Sequence, residues 1–250
     1  MQLKVMVFAI YLTSLSCFSM SGLDVMRLVQ KESQKKQTRF AVITMKIFDK
    51  DGRERRRFFN YWTKSSPENE KSLIKFFRPK NVKGTALFTE SKVKEGPKVQ
   101  WIYLPAFKSV RQLSSSDSNK SFMGSDFTYS DIAGRKLSQD NHKLVKEEGN
   151  YYFIESTPVD PKKAIYSRIL YVVHKKFNII SKAIFFDRKG VRLKSLVSTK
   201  VSTINGVYVV MLSEMENHIT GGKTFLNVES MTIGEPIKND LMSIKGLKSL

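Results

Sequence analysis

The spacing of apolar and polar positions changes soon after the start of the chain, and this change separates one helix from a long series of strands. Residues 22–36 place apolar side chains at helical spacing and end in charge, which predicts an amphipathic helix of about four turns. From Arg39 onward the spacing is that of strands, interrupted by turn sequences such as Asp51-Gly52 and Asn205-Gly206. The predicted strands are residues 39–48, 53–64, 71–77, 84–91, 99–104, 107–113, 151–157, 167–174, 179–187, 191–201, 206–216 and 223–233.

Residues 114–135 interrupt this rhythm, because they are polar, rich in serine and without strand periodicity. A disordered linker between two domains is one interpretation. The segment nevertheless carries five large apolar side chains within eleven residues, which linkers rarely do: Phe122, Met123, Phe127, Tyr129 and Ile132. We therefore expect an ordered loop that covers an apolar surface, with a short helix near residues 127–132. Around it, regular short strands joined by turns favour a sandwich or a barrel.

Residues 1–21 have the features of an export signal. Lys4 provides the positive start, residues 5–15 form the apolar centre, and Ser19-x-Ser21 has the small-x-small form that signal peptidase accepts. A buried core helix is the alternative, but such a helix would show polar residues at each turn. The sequence therefore predicts a signal peptide over residues 1–21, cleaved after Ser21, and a single domain over residues 22–250.

Cys17 is the one cysteine of the chain and offers a second route of processing. A lipoprotein signal places a cysteine as the acylated first residue, normally with leucine three positions earlier. Here Leu15 lies one place closer than that. Acylation of Cys17 would anchor the protein to a membrane, whereas cleavage after Ser21 would leave the mature chain without cysteine.

Composition excludes several classes of protein. Hydrophobic residues make up 41% of the chain and aromatic residues 11%, which argues against an intrinsically disordered protein. One cysteine and three histidines are too few for a zinc ribbon or an iron–sulfur protein. The apolar runs of about 18 residues that a polytopic membrane protein needs are also missing from the sequence.

Residues with catalytic potential are scarce. His142, His174 and His218 lack the paired spacing of metal ligands, and the sequence contains no nucleophile elbow, dinucleotide fingerprint or P-loop. We therefore predict that the protein is not an enzyme and uses no metal or organic cofactor. A Ser–His–Asp set assembles from distant positions, so a hydrolase of envelope lipids or glycans stays open as a third hypothesis.

The chain is strongly basic, with 43 Lys and Arg against 23 Asp and Glu and a formal net charge of +20. A solvated surface is the simplest explanation. If the charge is functional, nucleic acid and anionic lipid are the plausible partners. Because an exported protein meets anionic membrane surfaces and rarely nucleic acid, we predict a membrane surface as the partner.

Four sequence blocks, in order, resemble a known family: FFRPKNVKGTALFT (76–89), WIYLPAFKSVRQL (101–113), SFMGSDFTY (121–129) and MENHITGGKTFLNV (215–228). Together they are similar to the outer-membrane lipoprotein-sorting protein family, the LolA-like periplasmic carriers. The resemblance implies a mainly β fold: an unclosed, strongly curved antiparallel β-barrel of about eleven strands. An N-terminal helix and a covering loop would fill its concave side.

The resemblance also implies an activity, which is to hold acyl chains of lipoproteins or other lipids in an apolar cavity and carry them across the periplasm. An inner-membrane exporter is a further partner that it suggests, and we expect a monomer. A membrane-anchored accessory subunit of an envelope lipid transporter, acylated at Cys17 and facing the periplasm, is the alternative.

Large apolar side chains in the matched blocks are the candidates for the cavity lining; the alternative is that each belongs to the ordinary core. They are Phe76, Leu87, Trp101, Tyr103, Phe122, Met123, Phe127 and Tyr129. Arg111 and Asp126 are polar members of the same blocks and are predicted to pair and hold the covering loop shut.

Overall fold

A computed structural model of the chain describes residues 20–92 and 98–248. The helices are α1 (Gly22–Ser33), α2 (Ser115–Ser118) and α3 (Tyr129–Ala133), with single 3₁₀ turns at Pro105–Phe107, Leu137–Gln139 and Lys245–Leu247. The strands are β1 (Thr38–Phe48), β2 (Glu54–Ser65), β3 (Asn69–Arg78), β4 (Ala86–Lys92), β5 (Val99–Leu104), β6 (Ser109–Gln112), β7 (Asp140–Glu148), β8 (Tyr151–Pro158), β9 (Arg168–His174), β10 (Ile179–Phe186), β11 (Arg192–Ile204), β12 (Val207–Asn217) and β13 (Lys223–Ile233).

The strands form one 13-stranded antiparallel sheet, in the order β6-β5-β4-β3-β2-β1-β13-β12-β11-β10-β9-β8-β7. Neighbours in the sheet are neighbours in sequence except at the centre, where β1 pairs with β13 from Arg39–Ile233 to Phe48–Lys223. The free edges are β6 and β7, so the sheet does not close. The prediction of a mainly β, unclosed antiparallel sheet with one N-terminal helix is confirmed.

The sheet has thirteen strands, compared with the twelve that patterning predicted and the about eleven that the resemblance implied, and the strand that patterning missed is β7. Its sequence, DNHKLVKEE, has two adjacent apolar residues instead of an alternating pattern, and most of its side chains are exposed or half-buried. Edge strands are commonly charged in this way, since charge prevents pairing with another chain. A periodicity search therefore cannot recognise β7.

Helix α1 covers part of the sheet and ends three residues earlier than predicted. Its N-cap is Ser21, whose Oγ accepts a hydrogen bond from the Asp24 backbone N–H at 3.2 Å while the Asp24 carboxylate accepts from the Ser21 backbone N–H at 3.2 Å. At the start of the helix, a Cβ on Gly22 would lie 2.6 Å from the backbone nitrogen of Leu144, so the helix meets the β7 backbone at close range. At its end, buried Glu32 accepts a hydrogen bond from the Tyr208 backbone N–H at 2.9 Å.

The two faces of the sheet carry separate apolar clusters, because successive side chains of a strand point to opposite faces. On the inner face, as we name it, Val25 and Met26 of α1 pack against the sheet. On the outer face, Met242 and Leu247 of the C-terminal segment pack against Leu73 and Phe88.

The two edge strands are joined directly by residues 113–139, which we call the lid. The lid contains α2 and α3, and the helix predicted near residues 127–132 corresponds to α3. Phe122 and Phe127 of the lid belong to the inner-face cluster. The predicted ordered loop that covers an apolar surface is thus present. Most of the predicted signal segment, including Cys17, lies outside the described residues.

Candidate functional site

Most of the predicted lining residues meet on the inner face of the sheet. Phe76, Leu87, Phe122 and Phe127 are buried in the inner-face cluster, and Met123 and Tyr129 pack against it. Phe122 is the centre of this group, with its ring centroid 5.7 Å from that of Phe76 and 5.4 Å from that of Tyr129.

Trp101 and Tyr103 do not join this group. Both pack on the outer-face cluster, where the Trp101 ring lies 5.8 Å from that of Phe88. The β5 residue between them, Ile102, is the one buried in the inner-face cluster. The prediction that Trp101 and Tyr103 line the same cavity as the other candidates is therefore wrong, and the two-residue period of the strand is the reason.

A cavity of about 310 Å³ lies on the inner face between α1, the lid and the sheet. Its apolar lining comes from α1, the lid and strands β9 to β12: Met26, Val29, Phe127, Leu137, Tyr171, Ile180, Phe185, Leu196 and Met215. Of the predicted lining residues, Phe127 is among those that line this cavity, whereas Phe76, Leu87 and Phe122 are packed in the core beside it. The α1 residues were missed as lining, although the apolar stripe of the helix was the available signal.

The polar lining comes from α1, from both halves of the sheet and from the lid: Gln30, Ser33, Glu70, Lys98, Asp131, Gly134, Arg135, Lys136, Asp140 and His142. The Lys98 ammonium donates to the Ala133 carbonyl at 2.8 Å and lies 3.5 Å from the Glu70 carboxylate. Lys98 is not among the lining residues predicted from the sequence. These groups come from α1, β3, the start of β5, the lid and β7, which patterning within single elements does not bring together.

Arg135 and Asp140 form a bidentate ion pair at the lid end, with N–O distances of 2.7 and 2.6 Å. Burial opposes the charged guanidinium, but the hydrogen bond and the charge of Asp140 prevail and raise the pKa of Arg135. For nearby Tyr171, burial and the Asp140 charge raise the pKa of the phenol. Arg135 is therefore a fixed cation at the cavity wall.

The floor of the lid is held by a buried ion pair. The Lys194 ammonium of β11 contacts the Asp131 carboxylate of α3, and both side chains are less than one-tenth exposed. The Tyr166 hydroxyl donates to the other Asp131 oxygen at 2.7 Å, and burial, followed by the Asp131 charge, raises the pKa of this phenol. Asp131 also accepts from the Thr128 backbone N–H at 2.7 Å and so caps α3. One carboxylate thus joins the lid helix to β11 and to the turn between β8 and β9.

The predicted pair of Arg111 and Asp126 is not formed. Arg111 donates to Asp117 at 2.9 Å, in an exposed cluster at the start of the lid. Asp126 instead accepts a hydrogen bond from the Thr224 hydroxyl at 2.7 Å, and its backbone N–H donates to the same hydroxyl at 3.0 Å. Asp126 does hold the lid, but to β13 and through a neutral partner, which the sequence spacing cannot reveal.

The lid residues 121–128 form a tight hairpin. Ser121 and Thr128 make an isolated bridge, and the Phe122 backbone N–H donates to the Phe127 carbonyl at 2.7 Å. Met123 and Gly124 follow with φ angles of 52° and 80°, so the turn requires left-handed backbone at both positions. Arg55 of β2 donates to the Gly124 carbonyl at 3.1 Å. The hairpin is therefore attached to the sheet by polar contacts at its turn and by Phe122 beneath it.

His142 and His174 make hydrogen-bonding and packing contacts that are typical of structural residues. His142 bonds the Ser156 hydroxyl at 2.7 Å and the Leu137 carbonyl at 3.1 Å, and His174 stacks on Phe177 with centroids 4.3 Å apart. Within residues 20–92 and 98–248, no group of three or more His, Cys, Asp or Glu side chains is placed to hold a metal ion.

His218 is the histidine nearest to a catalytic arrangement. Its Nε2 lies 3.1 Å from the Ser195 hydroxyl, but its Nδ1 is 3.9 Å from the Glu216 carboxylate, which is too long for a hydrogen bond. Ser195 is 4% exposed and lies in the ladder of β11, without the sharp strand-to-helix turn that presents a nucleophile. The Ser195 hydroxyl is therefore buried in the sheet and not presented as a nucleophile.

No helix within residues 20–92 and 98–248 is long and apolar enough to span a bilayer.

Solved structures with the same architecture define the class of this protein. A domain described as an outer membrane lipoprotein-sorting protein, from Vibrio parahaemolyticus, is 26% identical with a TM-score of 0.84, over 91% of this chain and 98% of that one. A DUF1329 family protein from Desulfovibrio piger ATCC 29098 is 26% identical with a TM-score of 0.85, over 90% and 97% of the two chains. The LolA superfamily protein NE2245 from Nitrosomonas europaea shares the fold at 18% identity, with a TM-score of 0.71 over 90% and 98%. The fold is LolA-like.

A family model described as "uncharacterized protein" matches residues 68–249, and the chain belongs to that family. This range contains the four blocks that resemble the lipoprotein-sorting proteins, and the resemblance is confirmed by the structural neighbours. No functionally curated protein matches the sequence significantly.

Proposed function

We propose that this protein is a periplasmic carrier that binds acyl chains of lipoproteins or other lipids in the cavity under α1 and the lid, and transfers them between membranes. The observation that carries the proposal is the cavity itself, about 310 Å³ in volume, with an apolar wall and a polar end. The names of two structural neighbours, a lipoprotein-sorting domain and a LolA superfamily protein, support the same class of activity.

The chemistry of the wall suits a hydrocarbon chain. Each CH₂ group removed from water contributes about 0.8 kcal/mol, so an acyl chain needs a continuous apolar surface before it enters an aqueous compartment. Val29, Ile180 and Leu196 provide that surface from a helix and two strands. Lys98 and Arg135 at the polar end are placed to meet the head of an amphiphile.

The size of the cavity implies that the lid moves. Ligand cavities commonly measure about 300–1,000 Å³, and this one lies at the lower end of that range. A cargo with several acyl chains requires more room, which displacement of the lid would create. The contacts that hold the lid edge are polar and individually weak, such as Lys98 to Ala133 and Gln100 to the Tyr129 carbonyl at 3.1 Å.

The decisive experiment is native mass spectrometry, with lipid extraction, of protein purified from the periplasm. We expect a co-purifying acylated species at near-stoichiometric occupancy, and its mass would name the class of cargo. A protein that is empty as purified and still empty after incubation with membranes would contradict the carrier function. It would favour an accessory role in which the sheet is a docking surface.

Two matched substitutions make the experiment specific to the cavity. Leu196→Trp places a larger apolar side chain in the wall, and we expect occupancy to fall at least about fivefold because the acyl chain loses its space. Val145→Trp is the control, since Val145 is 55% exposed on β7 and does not line the cavity. Equal occupancy in the two variants would place the lipid elsewhere.

Export and membrane attachment belong to the same proposal. The signal over residues 1–21 supports a periplasmic location, and acylation at Cys17 would instead anchor the protein to a membrane facing the periplasm. We propose a monomer without catalytic activity that receives its cargo from an inner-membrane exporter. The mass of the mature N-terminus separates the two forms, since a free Gly22 or nearby residue indicates a carrier and an acylated Cys17 indicates an anchored subunit.

A further inference from the structure

An antiparallel meander places every second turn at the same end of the sheet. At one end these turns follow β1, β3, β5, β8, β10 and β12, and we call them the turn rim: residues 49–53, 79–85, 105–108, 159–167, 187–191 and 218–222. The opposite rim has the described turns 66–68, 149–150, 175–178 and 205–206.

The turns of the turn rim touch one another. A Cβ on Gly84 would lie 3.0 Å from the Pro105 ring, and one on Gly221 would lie 3.3 Å from the Lys50 Cβ. Arg188 donates to the Ala164 carbonyl at 3.0 Å and so connects the turn after β10 to the turn after β8. These contacts join the turns in pairs along one end of the sheet.

Large apolar side chains are exposed on four different turns of this rim. Phe107 is 74% exposed, Ile219 62%, Val159 58% and Val191 49%. Single exposed apolar residues are ordinary, but their concentration at one end of a protein is not. The described turns of the opposite rim contain no exposed large apolar side chain.

The same turns are basic, with nine Lys and Arg against four Asp. The acids are occupied within their own turns: Asp187 accepts from two backbone N–H groups, Asp49 and Asp51 pair with Arg53, and Asp160 pairs with Lys163. Six lysines of the rim make no ion pair with any described residue: Lys50, Lys80, Lys83, Lys108, Lys162 and Lys189. Phe107, Val159 and Val191 each have one of these lysines in their own turn. The turn of Ile219 has no Lys or Arg, but it lies against the turn that contains Lys50.

We propose that the turn rim docks on the surface of an anionic lipid bilayer. Apolar tips flanked by lysine are the chemistry of interfacial binding, because the tips enter the boundary between headgroups and acyl chains while the ammonium groups remain at the phosphates. An acidic protein surface would also attract the lysines. Four tips on four separate turns fit the continuous surface of a bilayer better than one shaped partner.

Docking of this rim brings the lid to the membrane. The lid hairpin lies against the rim, since Asp126 bonds Thr224 next to turn 218–222 and Gly124 bonds Arg55 next to turn 49–53. The docking proposal does not require that the cavity holds an acyl chain, and occupancy in solution is measured separately.

Co-sedimentation of the full mature chain with vesicles tests the proposal. The vesicles contain equal parts of phosphatidylglycerol and phosphatidylethanolamine, and pure phosphatidylcholine vesicles serve as the neutral comparison. We expect binding to the anionic vesicles, and we expect the double variant Phe107→Asp/Ile219→Asp to bind them at least about tenfold more weakly. Val145→Asp is the matched control, an exposed apolar residue off the rim, and should bind as the unmodified protein does.

A second set of variants tests the charge. Lys80→Gln, Lys83→Gln, Lys108→Gln and Lys189→Gln together should reduce binding at low salt by about tenfold or more, whereas Lys176→Gln and Lys200→Gln, away from the rim, should change it less than about twofold. Thermal melting of each variant checks that the fold is retained.

Three results would overturn the proposal. One is failure of the unmodified protein to bind anionic vesicles, which would leave the rim to an acidic protein surface. Another is equal binding by the tip variant and the unmodified protein. The third is an equal loss in Val145→Asp, which would indicate adhesion by general charge. None of these results bears on whether lipid is found in the cavity.

Discussion

At the scale of single residues, Asp131 is a buried attachment of the lid to the sheet. Its carboxylate meets the Lys194 ammonium, the Tyr166 hydroxyl and the Thr128 backbone N–H at once. A charge taken out of water is tolerated only where such partners replace the solvent. The ion pair of Asp131 and Lys194 therefore favours this one position of the lid, because in another position the buried carboxylate would lose these partners.

Removal of the cation should be costly. We expect Lys194→Met to lower the free energy of unfolding by about 3–5 kcal/mol in urea denaturation, because Asp131 would remain buried without a counter-charge. Lys163→Met is the control, since its ion pair with Asp160 is largely exposed and should contribute no more than about 1 kcal/mol. A loss in Lys194→Met as small as in the control would show that water reaches Asp131.

Asp126 should make the stability of the folded protein depend on pH. Burial raises its pKa above the ordinary value of 3.8, so the folded protein retains a proton that the unfolded chain has already released. The stability that this group contributes is therefore present at low pH and is lost as the pH rises through its folded pKa. We expect the stability of Asp126→Asn, relative to that of the unmodified protein, to increase as the pH rises from below 3.8 through the folded pKa of Asp126.

The control for this prediction has the opposite sign. The hydrogen bond from Lys163 lowers the pKa of exposed Asp160, so its contribution is present above the unfolded pKa and is lost as the pH falls. Asp160→Asn should therefore differ from the unmodified protein in the other direction. Parallel pH profiles of the two variants in chemical denaturation would contradict the assignment for Asp126.

At the scale of elements, the start of α1 conflicts with the predicted processing site. Ser21 caps the helix, yet cleavage after Ser21 would remove it and leave a positive α-amino group at the N-terminus of the helix, where positive charge is unfavourable. The small-x-small pattern describes what signal peptidase accepts. It does not indicate where the folded domain begins, so it could not reveal that Ser21 caps α1.

We expect a chain that begins at Met20 to be more stable than a chain that begins at Gly22, by about 1 kcal/mol. Urea denaturation of the two purified chains measures the difference, and Ser21→Ala in the longer chain should reproduce most of the loss. Identical midpoints would mean that the capping box of Ser21 and Asp24 contributes nothing measurable.

The strands with alternating or continuously apolar sequences were predictable, and β5 and β13 have the predicted bounds. The missed strand, β7, is formed because α1 and β8 lie against it, as the close approach of Gly22 to Leu144 shows. Strand β7 is formed through its contacts with these elements, and the local sequence of the strand does not reveal such contacts.

At the scale of the whole molecule, binding of a lipid in the cavity should stabilise the folded protein. A ligand at about 100 times its Kd contributes about 2.7 kcal/mol, which corresponds to a rise in Tm of roughly 5–11 °C for a domain of this size. We expect delipidated protein to regain this increment when a lipid extract is added. The Leu196→Trp variant should show less than half of the shift, and an equal shift in that variant would place binding outside the cavity.

The candidate site was less predictable than the fold. Phe127 was anticipated at the cavity, but Arg135 and Asp140 were not, because their ion pair forms where the lid enters β7, the strand that patterning missed. Lys194 was not placed beneath the lid, because it meets Asp131 from a strand that is distant in sequence. Trp101 shows a second reason, since the choice between two faces of a strand requires the register. Resemblance to a family indicated the architecture without indicating these contacts.

The position of β1 beside β13 has a consequence for the integrity of the molecule. The strands form two meanders, β1–β6 and β7–β13, which are hydrogen-bonded to each other along β1 and β13 and are covalently joined through the lid. A protease cut within the lid would therefore yield two fragments that remain together as a non-covalent complex with an intact sheet. The cut would break only the lid, which covers the cavity, and would leave all thirteen strands paired. We therefore expect the sheet to stay folded after the lid has been cut.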